Sequence, residues 1–190
     1  HKLYQPHKPF KLPSPYLCRS MDNSDCFSYR STGFFSRLIC DYLDQKEELK
    51  PFYNRFPSLE NFKEQIVEKQ SFPEHSRQLL ADALQGQYAG MKGRMPAEVE
   101  ENIRLLRSDN TFTVTTGHQL NILTGPLYFI YKIITTINLA KELKANYQGL
   151  NFVPVYWMAT EDHDFEEINF INFYGGKLRW DNDLKGAVGH

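Results

Sequence analysis

The stretch TFTVTTGHQLNILTGPLYFIYKIITTINLAKELKANYQGLNFVPVYWMA, residues 111–159, decides the fold. Its first six residues, Thr111 to Thr116, are β-branched and aromatic and predict a strand that stops at Gly117. A loop of glycine, histidine and amides then leads to Pro126, which suits the first turn of a helix running to about Tyr147 and stopped by Gly149. Phe152 to Ala159 follows as a near-continuous apolar run of strand length, the pattern of a buried parallel strand. Strand, helix and strand together make a βαβ unit, whose crossover is right-handed. On the helix, Leu127, Ile130, Tyr131, Ile134 and Ile137 form an apolar stripe, and Phe129, Ile133, Thr136 and Ala140 form a weakly polar opposite side. A helix apolar on two sides is expected between two layers.

Downstream, Ile168 to Tyr174 and Lys177 to Trp180 flank Gly175-Gly176, a pair typical of a tight hairpin turn. Upstream, Thr32 is placed as the N-cap of a helix carrying Phe35, Leu38, Ile39 and Leu43 up to the break at Pro51. Three further helices are expected over Ser58 to about Gln70, Pro73 to about Tyr88 and Pro96 to about Arg107. Residues 1–20 hold Pro6, Pro9, Pro13 and Pro15 with no acidic residue, a composition that predicts a disordered leader. The expected organisation is therefore leader (1–20), helical N-terminal region (21–108) and the first part of an α/β core (109–190). Two parallel strands are too few for a closed sheet, so the chain is expected to be the N-terminal part of something longer.

Composition narrows the function classes. The 190 residues are 41% hydrophobic and 24% charged with a net charge of -1, an ordinary globular balance. That balance argues against nucleic acid as partner, since phosphate binding needs a Lys/Arg excess on one face. Cys18, Cys26 and Cys40 form neither a disulfide framework nor a CxxC pair. No apolar run approaches the roughly 20 residues that span a bilayer, and no secretory leader pattern opens the chain. A cytoplasmic protein without membrane contact is expected.

In an open α/β sheet, ligands bind outside the carboxyl ends of the strands. Both strand ends here carry polar loops. The first is Thr116-Gly117-His118-Gln119-Leu120-Asn121, continuing to Thr124-Gly125-Pro126-Leu127-Tyr128. Gly117 and Gly125 allow close backbone approach, and the free N–H groups of the helix start favour a phosphate or carboxylate. His118 has the chemistry to donate a hydrogen bond or move a proton near neutral pH. Tyr128 is the aromatic best placed to show its hydroxyl, and Lys132 can reach back to the helix start or the second loop, or run its stem to solvent. The second loop, Glu161-Asp162-His163-Asp164-Phe165-Glu166-Glu167, gathers five acids around one histidine. Such a cluster fits Mg²⁺, a ligand ammonium or a polyol, or is simply a solvated acidic loop. Zinc is disfavoured because His163 has no second His or Cys at ligand spacing, and no resident metal is assigned. No GxSxG elbow is present.

At these two loops the chain resembles the bacterial cysteine-ligase family of bacillithiol biosynthesis, BshC. The resemblance is carried by TTGHQLNILTGPLYFIYKIITTINLAKEL, by VPVYWMATEDHDFEEIN and by STGFFSRLICDYLDQKEELKPFY, and covers about Asp25 to the end. It implies a Rossmann-like core similar to class I aminoacyl-tRNA synthetases, with helical additions and a coiled coil beyond His190. Thr124-Gly125-Pro126-Leu127 stands where those synthetases carry their histidine pair. The implied activity is a carbon–nitrogen ligase joining cysteine to glucosaminyl malate, inactive as the isolated 190-residue piece and dimeric, if at all, through a region beyond residue 190. Within it, His118, Lys132, Asp162, His163 and Asp164 are assigned to proton transfer, charge stabilisation and orientation. Thr116, Gly117, Gln119, Thr124, Gly125, Tyr128 and Glu161 are assigned to substrate or nucleotide binding. The cofactor stays open, with ATP and Mg²⁺ as candidates. The competing expectation is a Rossmann-like module that binds a nucleotide or metabolite without catalysis.

Overall fold

The computed structural model describes residues 16–17, 27–91, 93, 95–183 and 185–189. The expected leader lies outside these residues except for Tyr16–Leu17 (β1), which pairs antiparallel with Phe27–Ser28 (β2). Cys18 and Cys26 also lie outside them, whereas Cys40 is a buried free thiol, as its place on an apolar helix face requires.

One compact unit ends at Ser71 and a second begins at Phe72. In the first, a 3₁₀ turn over Arg30–Thr32 precedes α1 (Arg37–Leu43). The cap of α1 is Ser36, whose hydroxyl accepts the Ile39 N–H at 3.3 Å, not Thr32 as expected. The Thr32 hydroxyl instead donates to the Tyr29 carbonyl, and Gly33, at φ +70°, turns the chain before the helix begins. After a 3₁₀ segment containing Pro51, α2 runs over Phe62–Lys69. Ser58 starts a turn rather than the helix, accepting the Asn61 N–H on its hydroxyl.

In the second unit, α3 (Glu74–Ala89) and α4 (Ala97–Leu106) pack on each other through Ala81, Ile103 and Leu106, all buried. The packing boundary thus precedes both helices, whereas the change of element type falls at residue 108. Arg77 of α3 is the tie: its guanidinium is buried and donates to the carbonyls of Ser108 (3.0 Å) and Thr111 (2.8 Å), fixing the turn that feeds the sheet. There β3 (Thr111–Gln119) and, after α5 (Leu127–Asn146), β4 (Asn151–Ala159) pair in parallel from Thr111↔Asn151 to Gln119↔Ala159. The βαβ reading holds, and Phe112 packs on Phe152 across the pair.

Three expectations are corrected. First, β3 continues through Gly117, His118 and Gln119. Gly117 does not break the strand; it admits the neighbouring backbone, since a Cβ there would lie 2.9 Å from the Trp157 carbonyl oxygen. Second, α5 is not covered on both sides. Thr136 and Ala140, small enough to let the helix approach, are buried against the strands together with Leu143, while the stripe of Leu127, Ile130, Tyr131, Ile134 and Ile137 is exposed. Third, the hairpin of β5 (Phe170–Phe173) and β6 (Gly176–Arg179) turns on Tyr174-Gly175, not Gly175-Gly176. Both turn residues have positive φ (48° and 77°), as a two-residue hairpin turn of this hand requires.

Among the described residues, no helix is long and apolar enough to cross a membrane.

Candidate functional site

The carboxyl ends of β3 and β4 lie side by side because Gln119 pairs with Ala159, so the loop after each strand starts from the same edge. After β3 the chain bends sharply: a 3₁₀ turn over Ile122–Thr124 holds Leu123 at φ 48°, and Gly125 sits at φ 60°, ψ −150°, a region open only to glycine. Pro126 then sets the extended residue before α5, and no side chain caps the helix. The Phe129 N–H donates to the Pro126 carbonyl at 3.0 Å, and the N–H groups of Leu127 and Tyr128 keep their capacity for an acceptor.

Around this bend a chain of contacts forms. Tyr128, on the first turn of α5, has its hydroxyl 2.7 Å from His118 Nε2. Asn121 Nδ2 lies 2.9 Å from His118 Nδ1 and donates to the Gln119 carbonyl at 3.1 Å. Phe129 packs edge-on to both the His118 and Tyr156 rings, walling the inner side. The Tyr156 hydroxyl donates to the His118 carbonyl at 3.3 Å, and burial pushes its phenol up. Lys132, one turn past Tyr128, donates to the Gly117 carbonyl at 3.1 Å and lies 5.5 Å from the centre of the Tyr128 ring. Its hydrogen-bond partner is thus a carbonyl of β3, beside Tyr128, and not a carboxylate of the acidic loop.

The loop after β4 is anchored by a single helical turn, α6 (Phe165–Ile168), whose Phe165 and Ile168 are buried and whose Phe165 meets Trp180 edge-on. This turn gives the acidic run a direction. Gln119 Nε2 donates to Asp162 Oδ2 at 2.9 Å and to Glu167 Oε2 at 3.2 Å, so one amide from β3 ties two carboxylates of the other loop. The Asp164 backbone N–H and the Gln119 amide hold the Asp162 carboxyl below the usual carboxylate range. Val188 N–H donates to the Asp162 carbonyl and Gly189 N–H to the Thr160 carbonyl, clamping the loop from its far side. Glu161, His163 and Asp164 project as exposed side chains. Glu166 turns away to an ion pair with Arg179.

The structure therefore brings together His118, Tyr128, Gly117 and Lys132 in one group and Gln119 and Asp162 in an adjoining one. Thr116 is half-buried on β3, and Thr124 contributes backbone to the bend. Two residues to which the sequence reading gives no role join them: Asn121 and Glu167. Glu167 lies in the quoted acidic run, five residues past Asp162, which becomes the same side of the loop only once α6 forms. The arrangement offers donors on one side (helix start, Tyr128, Lys132) and carboxylates on the other, suited to an anionic group beside an ammonium. Among the described residues no three His, Cys, Asp or Glu side chains converge as a metal set, so no metal ligand is assigned.

Comparison with known proteins shows the family. The family model described as "Bacillithiol biosynthesis BshC, N-terminal Rossmann-like domain" matches residues 22–190. Two curated relatives, from Flavobacterium johnsoniae and Flavobacterium psychrophilum, are 59% and 60% identical over 87% of this chain. A third, from Bacillus pumilus, is 38% identical over 79%. All three carry the name "Putative cysteine ligase BshC". The aligned part is 31% of each Flavobacterium protein and 26% of the Bacillus one, so the chain spans about a third of the length of these relatives.

Proposed function

Because the chain belongs to the BshC family of bacillithiol biosynthesis through its N-terminal Rossmann-like domain, we propose that the full-length protein joins cysteine to glucosaminyl malate through an amide bond at the ends of β3 and β4. In this reading Asp162 and Glu167 receive the cysteine ammonium, and the Gln119 amide keeps both carboxylates in place. The acid partner lies with its carboxyl oxygens at the start of α5, where Tyr128, Lys132 and the first-turn N–H groups meet negative charge.

Amide formation from a free carboxylate needs an activated acyl group, and ATP would supply that activation, its phosphates fitting the same helix start. The uncharged amine of the glucosaminyl unit attacks the activated carboxyl carbon of cysteine, the C–N bond forms, and the leaving group departs with its electron pair. The proton lost from that nitrogen passes to a carboxylate of the acidic loop. Lys132 offsets negative charge as it builds on the acyl oxygen.

The observation that carries this reading is the Gln119 amide joining the two family motifs, TGHQ and EDHD, into one site with opposite charge preferences on its two sides. The test incubates the full-length protein with cysteine and glucosaminyl malate, with and without ATP and Mg²⁺, and follows product by mass spectrometry. Cysteinyl product that disappears in His118→Ala, and that falls at limiting cysteine in Asp162→Asn, is expected. No product under any condition from folded protein refutes the reading, and ligand binding without turnover would favour a non-catalytic module.

A further inference from the structure

Asn121 is the residue that decides what the His118–Tyr128 pair presents to a ligand. Its amide nitrogen lies 3.1 Å from the Gln119 carbonyl oxygen and 2.9 Å from His118 Nδ1. A carbonyl oxygen accepts and never donates, so the Asn121 amide turns its NH₂ towards it. The second N–H of the same NH₂ then points at Nδ1, which must offer a lone pair. The opposite arrangement would put a proton on Nδ1, where it could reach the Gln119 carbonyl at 3.2 Å, but that one N–H would be shared between this carbonyl and an Asn121 oxygen turned against it, whereas the first arrangement gives the carbonyl and Nδ1 an N–H each. Two acceptor oxygens would then face each other at hydrogen-bond distance. With Nδ1 as acceptor, the neutral imidazole carries its proton on Nε2 and donates it to Tyr128 Oη at 2.7 Å. The Tyr128 oxygen is thereby occupied as an acceptor, and its own proton is free for another atom.

Gly125 holds the space this needs. A Cβ at that position would lie 2.6 Å from Asn121 Cγ and Oδ1, so any larger residue displaces the amide. The exposed ring of Tyr128 stands at the start of α5, where the helix offers N–H donors to the same ligand.

We propose that Asn121 is a positioning residue that fixes His118 as the Nε2–H tautomer, so that Tyr128 donates its hydroxyl proton to a carboxylate or phosphoryl oxygen of the substrate. The identity of the ligand rests on the functional reading above; the tautomer does not. Asn121 acts through His118 and Tyr128 and touches no substrate itself.

The test is ¹⁵N NMR of the full-length protein labelled at histidine, with the His118 signals assigned by loss in His118→Gln. The expected spectrum shows Nδ1 as an unprotonated ring nitrogen and Nε2 as an N–H nitrogen. Asn121→Asp places an acceptor-only carboxylate against Nδ1 and reverses the pattern, and its kcat for amide formation falls at least tenfold. Should that variant not fold, Tyr128→Phe serves instead: it moves the Nε2 signal and leaves Nδ1 unprotonated. A protonated Nδ1 in the unmodified protein or in Tyr128→Phe, or an unchanged pattern in folded Asn121→Asp, overturns the proposal. Failure of ligation with the expected tautomer intact counts against the functional reading alone.

Discussion

Replacing Arg77 by methionine tests how the sheet is tied to the helices before it. Arg77 is 6% exposed, and one guanidinium nitrogen donates to two carbonyls, of Ser108 at 3.0 Å and Thr111 at 2.8 Å, while a second reaches Asp109 at 3.4 Å. A hydrogen bond to a charged group contributes about 1.5–3 kcal/mol net, so the two short bonds give about 3–6 kcal/mol. Methionine keeps the apolar stem in place against Phe72, and the Ser108 carbonyl can regain water, which brings the expected loss to about 3 kcal/mol. The Thr111 carbonyl belongs to a buried residue and has less recourse. Urea unfolding followed by tryptophan fluorescence reads this unit alone, because Trp157 and Trp180, the two tryptophans of the chain, both lie in it. With a slope of about 1.5–2 kcal/mol per molar urea, the midpoint falls by about 1.5–2 M. Arg77→Lys, which keeps a donor but not the fork, falls by roughly half as much. A shift of the Arg77→Met midpoint below about 0.3 M, corresponding to about 0.5 kcal/mol, refutes the claim that this side chain holds the turn.

Three other outcomes follow from the same structure. Gly117→Ala must push β3 from the Trp157 carbonyl, costing about 1–3 kcal/mol and shifting Trp157 emission; a variant as stable as the parent would show that the strands do not approach this closely. In the first unit, Arg55 and Asn54 lower the Glu68 carboxyl to about 2 from its ordinary 4.5, so its contribution to stability is present above pH 4.5 and is lost as pH falls towards 2. Carboxyl-carbon NMR titration reads the low midpoint directly, and Arg55→Met returns it towards the ordinary value. The exposed stripe of Leu127, Ile130, Tyr131, Ile134 and Ile137 makes the 190-residue chain bind ANS, and a charged residue at Tyr131 reduces the fluorescence gain; no ANS binding would contradict that exposure.

The βαβ unit was legible because its three elements carry different periods: β-branched alternation, a long helical run behind Pro126 and an unbroken apolar strand. Gly117 misled because a glycine that ends a strand and one that admits a neighbouring strand look alike in one dimension. On α5 only one of the two sides expected to be covered is buried within these residues. Apolar content ranks Leu127, Ile130 and Tyr131 as core, whereas a helix crossing closely over two strands selects Thr136 and Ala140 by size. At the site, His118, Tyr128, Gln119 and Asp162 stood out by residue type and position at strand ends. Asn121 did not, since its role depends on a bend between Leu123 and Gly125 that brings it back onto His118. Glu167 joins the site only through the α6 turn, which the buried pair Phe165 and Ile168 imposes.

The central claim is that the acidic loop holds the cysteine ammonium while the helix start holds the acid. The most direct measurement is the cysteine dependence of amide formation by the full-length protein carrying Asp162→Asn. Losing a charged hydrogen-bond partner of about 1.5–3 kcal/mol raises the KM for cysteine about tenfold to a hundredfold and leaves the KM for glucosaminyl malate within about twofold. An unchanged KM for cysteine, or an equal rise for both substrates, would contradict it.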